Sequence, residues 1–430
     1  MVDRGEDTIC ALASGAGQAG VAVIRVSGRH VPDICARMLG RLPKPRFAGL
    51  VSVRASDGTL IDSALAIRFE DGASFTGEPV LELHTHGSQA VINRVLSVLT
   101  DMDGVRPAEP GEFTRRAFEN GKMNLTEVEG LADLIEAETE SQRQLALDVM
   151  TGGLSDRLGQ IRDNFLRAAA LIEATIDFAD EEVPVDVMPE VSGCLGIAET
   201  LLKEELDGFE AARIRREGFT VALVGPPNAG KSSLLNRLAG WDAAIVSDIA
   251  GTTRDVVEVV LRLKGLPVRV LDTAGLRETD DPVEKEGVRR TRQRAEAANL
   301  RVFLSEDGVA DPATHQAGDI VLKSKIDVSG GDGISAKTGQ GVKELVAAVE
   351  QAAIAASAGS GLTSHVRQKA ALENAQESLQ AAQNALDMDA PPEVVVFELT
   401  AAMRAVDGVL GRIDVEDVLG EIFSSFCIGK

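Results

Sequence analysis

The chain contains 430 residues, of which 44% are hydrophobic and 26% are charged, a balance typical of a folded globular protein. Its formal net charge of −23 at pH 7 argues against a protein that coats nucleic acid, so any nucleic acid must be bound locally. No apolar run reaches membrane-spanning length and no signal-peptide pattern opens the chain, which predicts a cytoplasmic protein without a membrane partner. The cysteines are too scattered to predict a zinc site or a disulfide framework: Cys10, Cys35, Cys194 and Cys427.

The N-terminal segment, residues 1–118, has an α+β texture. Apolar runs at 21–26, 64–69 and 80–84 predict strands, and the pattern at 89–99 predicts a helix. Three polar side chains at strand ends or in glycine turns are candidate ligand contacts, although each is more often a plain surface charge: Arg25, Glu82 and Lys122.

Two histidines in this segment invite a metal interpretation. His84 and His86 are two residues apart and share one strand face. No third ligand falls at a familiar spacing, so we favour a plain strand end that turns through Gly87.

Residues 119–217 and 357–430 carry helical patterns. Runs at 368–386 and 394–426 predict helices in the later segment. We interpret the two segments as one discontinuous all-α helical domain, with a nucleotide-binding α/β domain, residues 218–356, inserted between its halves. The fold class is therefore multidomain α/β. In the earlier segment, apolar side chains recur mostly at three- or four-residue steps: Leu154, Leu158, Ile161, Phe165, Ile172 and Ile176.

The most specific motif is G-x-x-x-x-G-K-S at residues 225–232. It follows an apolar run at 221–224 and precedes a helix-like run at 234–238. In a strand, loop and helix of this kind, backbone N–H groups surround the phosphates, Lys231 reaches the β and γ oxygens, and Ser232 can hold Mg²⁺. The motif predicts a P-loop nucleotide-binding domain.

Two later elements favour a switch GTPase over a generic ATPase. In the loop 248–255, Thr252 or Thr253 can complete the Mg²⁺ shell when a γ-phosphate is present. A predicted strand then ends in Asp272, which can hold Mg²⁺ through water, and Gly275 lets a backbone N–H approach the γ-phosphate.

Residues 324–327 resemble the N-K-x-D guanine motif. The Asp327 carboxylate can accept from two N–H donors that adenine does not offer together, whereas Ser324 stands at the asparagine position. Residues 335–337 match the small backing loop that follows this motif. We therefore predict guanine as the base.

Hydrolysis needs a positioned water and a positive charge near the transition state. Leu276 stands where small GTPases use glutamine, so another polar group must orient the water. Asn228 can offer its carboxamide oxygen to a monovalent cation that replaces an arginine finger. The nearest acidic candidates for orienting the water are Glu278, Asp280, Asp281 and Glu284.

Basic islands occur at 115–116, 213–216 and 285–294. We interpret each as a solvated helix face rather than a nucleic-acid contact. The chain has no tyrosine and one tryptophan, so platforms for stacking bases are scarce.

Four stretches together resemble the tRNA-modification GTPase family known as MnmE or TrmE. They are residues 225–233, 251–255, 272–278 and the C-terminal FSSFCIGK at 423–430. The likeness covers the whole chain, and the final Cys-Ile-Gly-Lys is its most specific part.

The resemblance implies a homodimer held by N-terminal domains that bind 5-formyl-tetrahydrofolate or a related tetrahydrofolate. It also implies a heterotetramer with the flavoprotein MnmG, which together with this family adds a carboxymethylaminomethyl group to C5 of the wobble uridine in certain tRNAs. GTP hydrolysis in the family requires Mg²⁺ and K⁺, and follows potassium-dependent dimerisation of the GTPase domains.

The resemblance also assigns roles to residues by motif. The folate contacts are Arg25, Glu82, Lys122 and Lys430. The Mg²⁺ ligands are Ser232 and Thr253, and the K⁺ ligands are Asn228, Ser247, Ile249 and Thr252. Glu284 orients the water, and Cys427 is a second catalytic candidate whose alternative role is that of a small buried hydrophobe. The remaining nucleotide contacts are Ala229, Gly230, Lys231, Ser233, Asp248, Ala250, Gly251, Asp272, Thr273, Ala274, Gly275, Ser324, Lys325, Asp327, Ser335, Ala336 and Lys337.

Two other functions stay open. A ribosome-assembly GTPase shares the phosphate loop, but it usually adds a compact basic RNA-binding module, which this chain lacks. A folate-dependent one-carbon transferase would use the nucleotide domain only for regulation.

Overall fold

The computed structural model describes residues 7–177, 186–241, 243–245, 258–272, 297–309, 315, 318–413, 419–420, 422–423, 426 and 429. The chain packs into two compact units. The first is Met1–Ala132 with Asp407–Lys430, and the second is Asp133–Val406. Within the described ranges, no helix is both long enough and apolar enough to span a membrane.

The first unit is built on a six-stranded sheet. Its strands are β1 (Thr8–Leu12), β2 (Ala19–Ser27), β3 (Gly49–Arg54), β4 (Leu60–Phe69), β5 (Val80–Gly87) and β6 (Val105–Pro107). Their order is β3-β4-β5-β2-β1-β6, and the neighbours are antiparallel except for the parallel pair β1 and β6. The three predicted strands are confirmed as β2, β4 and β5. The other three were not expected from the sequence.

Helices cover both faces of this sheet. They are α1 (Val31–Leu39), α2 (Gln89–Thr100) and α3 (Glu112–Glu119), and α4 (Leu125–Glu136) follows in the chain. Helices α1 and α2 bury Ile34 and Val95 in a core with Val26 and Leu83 of the sheet. Phe113 of α3 packs with Ile9 and Ala11, whose register partners show that they belong to the opposite face. Strand β2 therefore presents Val26 to one layer and Arg25 to the other.

Three helices open the second unit: α5 (Glu140–Met150), α6 (Gly153–Asp177) and α7 (Met188–Glu217). Thr139 caps α5, because its hydroxyl accepts from the N–H of Gln142 while the Gln142 side chain accepts from the N–H of Thr139. The predicted apolar stripe of α6 is confirmed, since Leu154, Leu158 and Phe165 are fully buried.

A second sheet follows in the same unit. Its strands are β7 (Phe219–Val224), β8 (Ala244–Ile245), β9 (Glu258–Leu263), β10 (Leu266–Asp272), β11 (Leu300–Ser305) and β12 (Ile320–Lys323). The order is β12-β11-β7-β10-β9-β8, parallel from β12 to β10 and antiparallel beyond. The helices are α8 (Lys231–Ala239), α9 (Ile326–Ser329) and α10 (Val342–Ala356). The carboxyl ends of the parallel strands meet at one edge, where such sheets bind ligands.

The chain then returns to the helical layer through α11 (Val366–Asp387), and α12 (Pro392–Leu410) follows. Glu205 of α7 is fully buried and accepts from the backbone N–H groups of Leu362 and Thr363, each at 2.9 Å. Helix α7 and the returning chain therefore belong to one packed layer. This is expected for a discontinuous helical domain whose sequence is interrupted by an inserted sheet domain. The multidomain α/β class is confirmed, while the predicted boundaries at 118, 217 and 356 stay a prediction.

The helix predicted over 394–426 was too long. It ends at Leu410, and Gly411 adopts a φ of 78°, in the left-handed region where helices commonly stop. The N–H of Arg412 turns back to the carbonyl of Asp407 at 3.0 Å. Beyond this point Leu419, Gly420, Ile422 and Phe423 are helical again, so the single helix that was predicted is interrupted at Gly411, a break that apolar periodicity does not reveal.

Candidate functional site

The phosphate loop joins β7 to α8 in a conformation that few residues adopt. Gly225, Asn228 and Gly230 all have positive φ, at 149°, 63° and 97°. A Cβ on Gly225 would collide with the carbonyl oxygen of Leu304 on β11, so only glycine fits there. The loop is thus held tightly against the neighbouring strand, with the amino terminus of α8 directly after it.

Lys231 is the first residue of α8, and its exposed fraction is 4%. Its ammonium donates to the carbonyl oxygens of Gly225 at 2.7 Å and Pro226 at 2.9 Å. Burial lowers the pKa of Lys231, and the nearby Asp272 carboxylate opposes that shift. The lysine therefore lies folded over its own loop, where its charge is available to a polyphosphate.

A pair of residues that suits Mg²⁺ lies beside this lysine. The Ser232 hydroxyl donates to the Asp272 carboxylate at 2.5 Å. Asp272 ends β10 and is buried, so the sheet itself fixes its position. A hydroxyl and a carboxylate oxygen are hard ligands of the kind Mg²⁺ prefers.

The base-binding motif is braced by hydrogen bonds between its two loops. The Ser335 hydroxyl donates to the Asp327 carboxylate at 2.7 Å and accepts from the Thr338 N–H at 3.2 Å. Lys325 has a left-handed φ of 57° and pairs with Glu306 at 2.7 Å. Asp327 is thus oriented by a buried serine while its carboxylate stays exposed.

Ser324 differs from the rest of this motif. Its exposed fraction is 4%, and its N–H donates to the carbonyl of Ser305 at 2.8 Å. Its hydroxyl has no hydrogen-bond partner among the residues that the structure describes. A buried hydroxyl without a partner carries a desolvation cost of about 1–3 kcal/mol, which a ligand can relieve.

One cavity of about 210 Å³ joins the phosphate loop to the base motif. The structure brings together eight of the residues predicted to bind the nucleotide, and these line the cavity: Ala229, Gly230, Ser233, Ser324, Lys325, Asp327, Ala336 and Lys337.

Other predicted site residues lie outside the described part of the chain, and their assignments stay predictions. They are Ser247, Asp248, Ile249, Ala250, Gly251, Thr252, Thr253, Thr273, Ala274, Gly275, Glu284, Cys427 and Lys430. The other acidic candidates (Glu278, Asp280 and Asp281) and the basic island 285–294 lie outside it as well.

The predicted folate residues occupy the first unit. Arg25 and Glu82 are register partners on β2 and β5, and their side chains pair at 3.0 Å. The Arg25 guanidinium lies 5.7 Å from the centroid of the Phe113 ring. Lys122 is exposed, and its ammonium donates to the carbonyl of Gly72 at 2.7 Å. The structure thus pairs Arg25 with Glu82, while the contact given for Lys122 is to a backbone carbonyl.

The C-terminus approaches this unit's sheet. Gly429 has a φ of 100°, and a Cβ there would collide with the backbone of Leu12 at the end of β1. Leu12 follows Ala11, the register partner of Arg25. Gly429 therefore lies close to the strand that neighbours the Arg25 strand.

The family model for the MnmE helical domain matches residues 125–427, and that for the GTP-binding protein TrmE N-terminus matches residues 8–122. The tRNA modification GTPase MnmE of Roseobacter denitrificans is 50% identical over 431 residues, covering 99% of this chain and 100% of the relative. That of Cereibacter sphaeroides is 51% identical over 430 residues, with the same coverage. The chain belongs to the MnmE family of tRNA-modification GTPases. The match includes the N-terminal and C-terminal segments, which favours this family over the two alternatives.

Solved structures also match part of this MnmE-family chain. The G domain of the T. maritima FeoB iron transporter is 24% identical, covers 31% of this chain and 98% of its own, and has a TM-score of 0.23. A TM-score this low supports no conclusion on function.

One basic island of the MnmE-family chain was misread as a solvated face. Arg116 is only 4% exposed, and its guanidinium donates to Glu78 at 3.0 Å and to Glu112 at 3.2 Å. Glu112 is also buried and accepts from Arg106 at 2.6 Å. Burial by itself raises the pKa of Glu112, but hydrogen bonds from Arg106 and the Glu109 N–H outweigh it and hold this pKa at about 2.

The island at 213–216 is also committed to internal contacts. Arg213 pairs with Glu210 at 2.9 Å, and Arg216 pairs with Glu217 at 2.5 Å. The Arg215 guanidinium donates to the carbonyl of Gly361 at 2.6 Å. Burial lowers the pKa of Arg215, and more distant carboxylates oppose the shift. Arg213 and Arg216 thus pair within α7, whereas Arg215 ties α7 to the returning chain, so the island is not a free solvated face.

The two histidines do not form a metal site with neighbouring ligands. His86 contacts Asp62 at 2.8 Å, whereas the nearest carboxylate to His84 is Glu82 at 3.7 Å. Across the described part of the MnmE-family chain, no group of three or more His, Cys, Asp or Glu side chains is placed to hold a metal. The strand continues through both residues and ends at Gly87, as the simpler interpretation predicted.

Proposed function

We propose that the chain is a potassium-dependent GTP hydrolase of the cytoplasm that acts in tRNA modification. With the flavoprotein MnmG, it installs the carboxymethylaminomethyl group at C5 of the wobble uridine in certain tRNAs, using a one-carbon unit carried by tetrahydrofolate. The cavity that joins the phosphate loop to the guanine motif is the observation that carries the proposal.

Guanine nucleotide is favoured by the chemistry of both ends of this cavity. At one end, Gly230 lines the cavity and is followed in the chain by the buried Lys231, whose charge and whose loop's main-chain amides suit a polyphosphate. At the other end, Ser335 orients the Asp327 carboxylate, a double acceptor that matches the two N–H donors of guanine. Adenine offers no such pair on that edge, so the cavity discriminates between the bases.

Two cations complete the proposed site. The oxygens of Ser232 and Asp272 suit Mg²⁺, and Thr253 is its further proposed ligand. Asn228 stands at the turn of the phosphate loop with a φ of 63°, and its carboxamide oxygen suits K⁺, with Ser247, Ile249 and Thr252 as the other proposed ligands. When bound, these cations neutralise charge that develops on the transferring phosphoryl group.

Hydrolysis also needs a group that orients the attacking water. Leu276 has no polar atom in its side chain, so it cannot replace the glutamine of small GTPases. We assign this role to Glu284, a carboxylate that accepts a hydrogen bond from water and holds its lone pair toward the γ-phosphate. Lys231 contributes a fixed positive charge to the same phosphates.

The N-terminal segment, residues 1–118, is the proposed folate-binding and dimerisation domain. Arg25, Glu82, Lys122 and Lys430 are its proposed folate contacts, and Cys427 is a proposed second catalytic residue. The paired Arg25 and Glu82 provide a donor and an acceptor side by side, which suits a ligand that carries both carboxylate and N–H groups. The functional assembly is a homodimer that joins MnmG in a heterotetramer.

Two measurements test the proposal. GTP turnover by the full chain in potassium chloride is expected to exceed turnover in sodium chloride at the same ionic strength at least tenfold, roughly the effect of one transition-state cation. In a strain without the gene, mass spectrometry of tRNA nucleosides is expected to show unmodified wobble uridine, with recovery on complementation. Equal turnover in sodium contradicts the cation assignment, and unchanged nucleosides contradict the tRNA assignment.

A further inference from the structure

One exposed stretch of the first unit differs in charge from the rest of this acidic chain. Between Asp33 and Asp57 there is no carboxylate side chain. Five cations lie in this interval and all are exposed; we call them the basic edge: Arg37, Arg41, Lys44, Arg46 and Arg54. They lie on α1, on the loop after it and on β3, the outermost strand of the sheet. In a chain with a net charge of −23, such a surface provides local attraction for a polyanion.

The charges of the basic edge are not paired with carboxylates among the residues that the structure describes. No ion pair joins any of the five to a carboxylate in the described ranges. Arg41, Arg46 and Arg54 instead donate to the backbone carbonyls of Leu50, Ala73 and Gly58, at 2.9, 2.9 and 3.0 Å. These hydrogen bonds orient the guanidinium groups but leave their positive charge unopposed.

The two basic islands within the described residues, 115–116 and 213–216, differ from the basic edge because arginines in both pair with carboxylates. Arg116 is buried against Glu78 and Glu112, and Arg213 is paired with Glu210. Their charges are already opposed by carboxylates at hydrogen-bond distance. The basic edge therefore has the charge that a phosphate backbone requires, and those two islands do not.

The loop within the basic edge is also rigidly held. Arg68 of β4 is 9% exposed and donates to the carbonyl of Pro43 at 2.9 Å, while the Arg46 N–H donates to the carbonyl of Arg68 at 2.8 Å. Arg46 has a left-handed φ of 56°, which a non-glycine residue keeps only when its surroundings impose it. Cations on a fixed loop lose little conformational entropy on binding.

An exposed aromatic ring lies among these cations. Phe47 is 62% exposed. A Cβ placed on Gly49 would lie 3.9 Å from both an Arg41 guanidinium nitrogen and a Phe47 ring carbon, so both side chains border Gly49. An arginine beside an exposed ring is the combination with which proteins hold a backbone phosphate and stack an unpaired base.

We propose that the basic edge, together with Phe47, binds the sugar-phosphate backbone of the tRNA substrate. The proposal rests on the proposed function, because it takes tRNA as the polyanion. An anionic membrane also carries phosphate, but interfacial helices bind it with a broad amphipathic face, whereas four of these five cations lie on a short loop and a sheet edge. Base stacking on Phe47 needs unpaired nucleotides, which the loops of tRNA supply.

The test uses the full chain and fluorescently labelled tRNA in binding titrations from 50 to 200 mM salt. We expect Arg41→Gln/Lys44→Gln/Arg46→Gln to weaken binding at least about tenfold and to lower the salt slope by about 2 to 3, since three phosphate contacts are lost. The matched control is Arg143→Gln/Arg167→Gln/Arg213→Gln, which removes the same charge from arginines that are already paired with carboxylates. Both variants are expected to keep wild-type GTP turnover, which also shows that they are folded.

A second arm tests the ring. Phe47→Ala is expected to weaken tRNA binding about fivefold or more while leaving the salt slope unchanged, since stacking releases no counterions. Its control is Phe397→Ala, which truncates another exposed phenylalanine, 69% exposed, on α12.

Several outcomes would overturn the proposal. Equal losses in the test and control triple variants would mean that only net charge matters, and equal affinity of the test variant and the wild type would mean that the surface is unused. Absence of tRNA binding by the wild type at 50 mM salt also excludes it. Loss of binding to phosphatidylserine vesicles with tRNA binding intact would assign the surface to a membrane. GTP turnover and nucleoside analysis report separately on the proposed function, so the two can fail independently.

Discussion

The basic side chain at the nucleotide site of the second unit and that of the Arg25–Glu82 pair in the first unit have different kinds of hydrogen-bond partner. Lys231 donates to neutral carbonyls of its own loop, five and six residues away. Arg25 instead pairs with a carboxylate 57 residues away, across two strands. A phosphate therefore competes with weak neutral acceptors for Lys231, whereas an anionic ligand of Arg25 competes with a full negative charge.

The two arrangements therefore suit two ways of binding a ligand. A preformed loop can bind a ligand without rearrangement, whereas an ion pair must exchange one of its own partners for the ligand. The loop that holds Lys231 is fixed by backbone conformation and by the close approach of Gly225 to β11, whatever the ligand. The Arg25 site must partly break its own pair, or use both partners at once. Variants at the two sites are therefore expected to act on different ligands and to leave the other ligand's affinity unchanged.

The largest expected effect is on catalysis at the nucleotide site. Glu284→Ala is expected to slow single-turnover GTP hydrolysis at least about a hundredfold, because the attacking water loses its orienting carboxylate. Nucleotide affinity, measured with a fluorescent GTP analogue, is expected to stay near normal. Asp281→Ala provides a nearby acidic control, and unchanged hydrolysis in Glu284→Ala would contradict the assignment.

A stability effect is expected in the first unit. The folded-state pKa of Glu112 is about 2 and its ordinary value is 4.5, so its ion pairs stabilise the fold fully above pH 4.5 and lose that effect as pH falls toward 2. The shift corresponds to about 3 kcal/mol at neutral pH. Hydrogen exchange of the α3 amides is expected to be faster in Glu112→Gln than in the wild type at pH 7, with the difference shrinking below about pH 4. A difference that is independent of pH would contradict the role of this carboxylate charge.

The next effect concerns the fixed loop itself. Lys231→Ala is expected to weaken GTP affinity about tenfold to a hundredfold, the range for losing charge-assisted hydrogen bonds. Equilibrium dialysis with GTP measures the loss, and 5-formyl-tetrahydrofolate affinity is the internal control. A parallel loss of folate affinity would show that the two sites are not independent. It would contradict the expectation that a variant at one site leaves the other ligand's affinity unchanged.

A somewhat smaller effect is expected at the exchangeable pair. Arg25→Ala is expected to weaken 5-formyl-tetrahydrofolate binding about tenfold by calorimetry, because part of the gain from Arg25 is already offset by Glu82. Arg54→Ala removes an exposed arginine of the same unit as a matched control. Equal folate affinity in Arg25→Ala and the wild type would remove this pair from the site.

The smallest effect is expected at the base motif. Ser324→Asn places a longer polar side chain in the cavity and is expected to raise GTP affinity about threefold, within the range of one net hydrogen bond. Ser335→Ala is a control with the opposite expected effect. It is expected to lower GTP affinity because Asp327 loses the hydrogen bond from the Ser335 hydroxyl that orients its carboxylate. Weaker binding by Ser324→Asn would show that the cavity has no room for the larger side chain.

The nucleotide site could be anticipated from the sequence because its chemistry lies within short runs. Backbone geometry between Gly225 and Ser232 is local, Asp272 ends a strand that the apolar pattern predicts, and Asp327 belongs to a four-residue motif. The order of the strands then brings these runs to one sheet edge. The eight predicted residues that line the cavity reflect this locality.

The remaining features depend on distant partners that one sequence does not show. Strand β6 has three residues and exists because it pairs with β1 nearly a hundred positions earlier. Arg116 looked solvated because its partner Glu78 is 38 residues away. The basic edge was overlooked for the converse reason, since its significance lies in the absence of neutralising carboxylates and in the exposure of all five cations.

The close approach of α7 to the returning chain has a consequence for how this architecture can vary. Gly208 and Gly361 contact each other so tightly that a Cβ on either would lie less than 3 Å from the other's backbone, and Arg215 donates to the Gly361 carbonyl. The two ends of the intervening segment are therefore held in direct contact with each other. Because that segment leaves and returns at one closely packed point, a change in its length does not by itself separate α7 from the returning chain, provided that both glycines are kept.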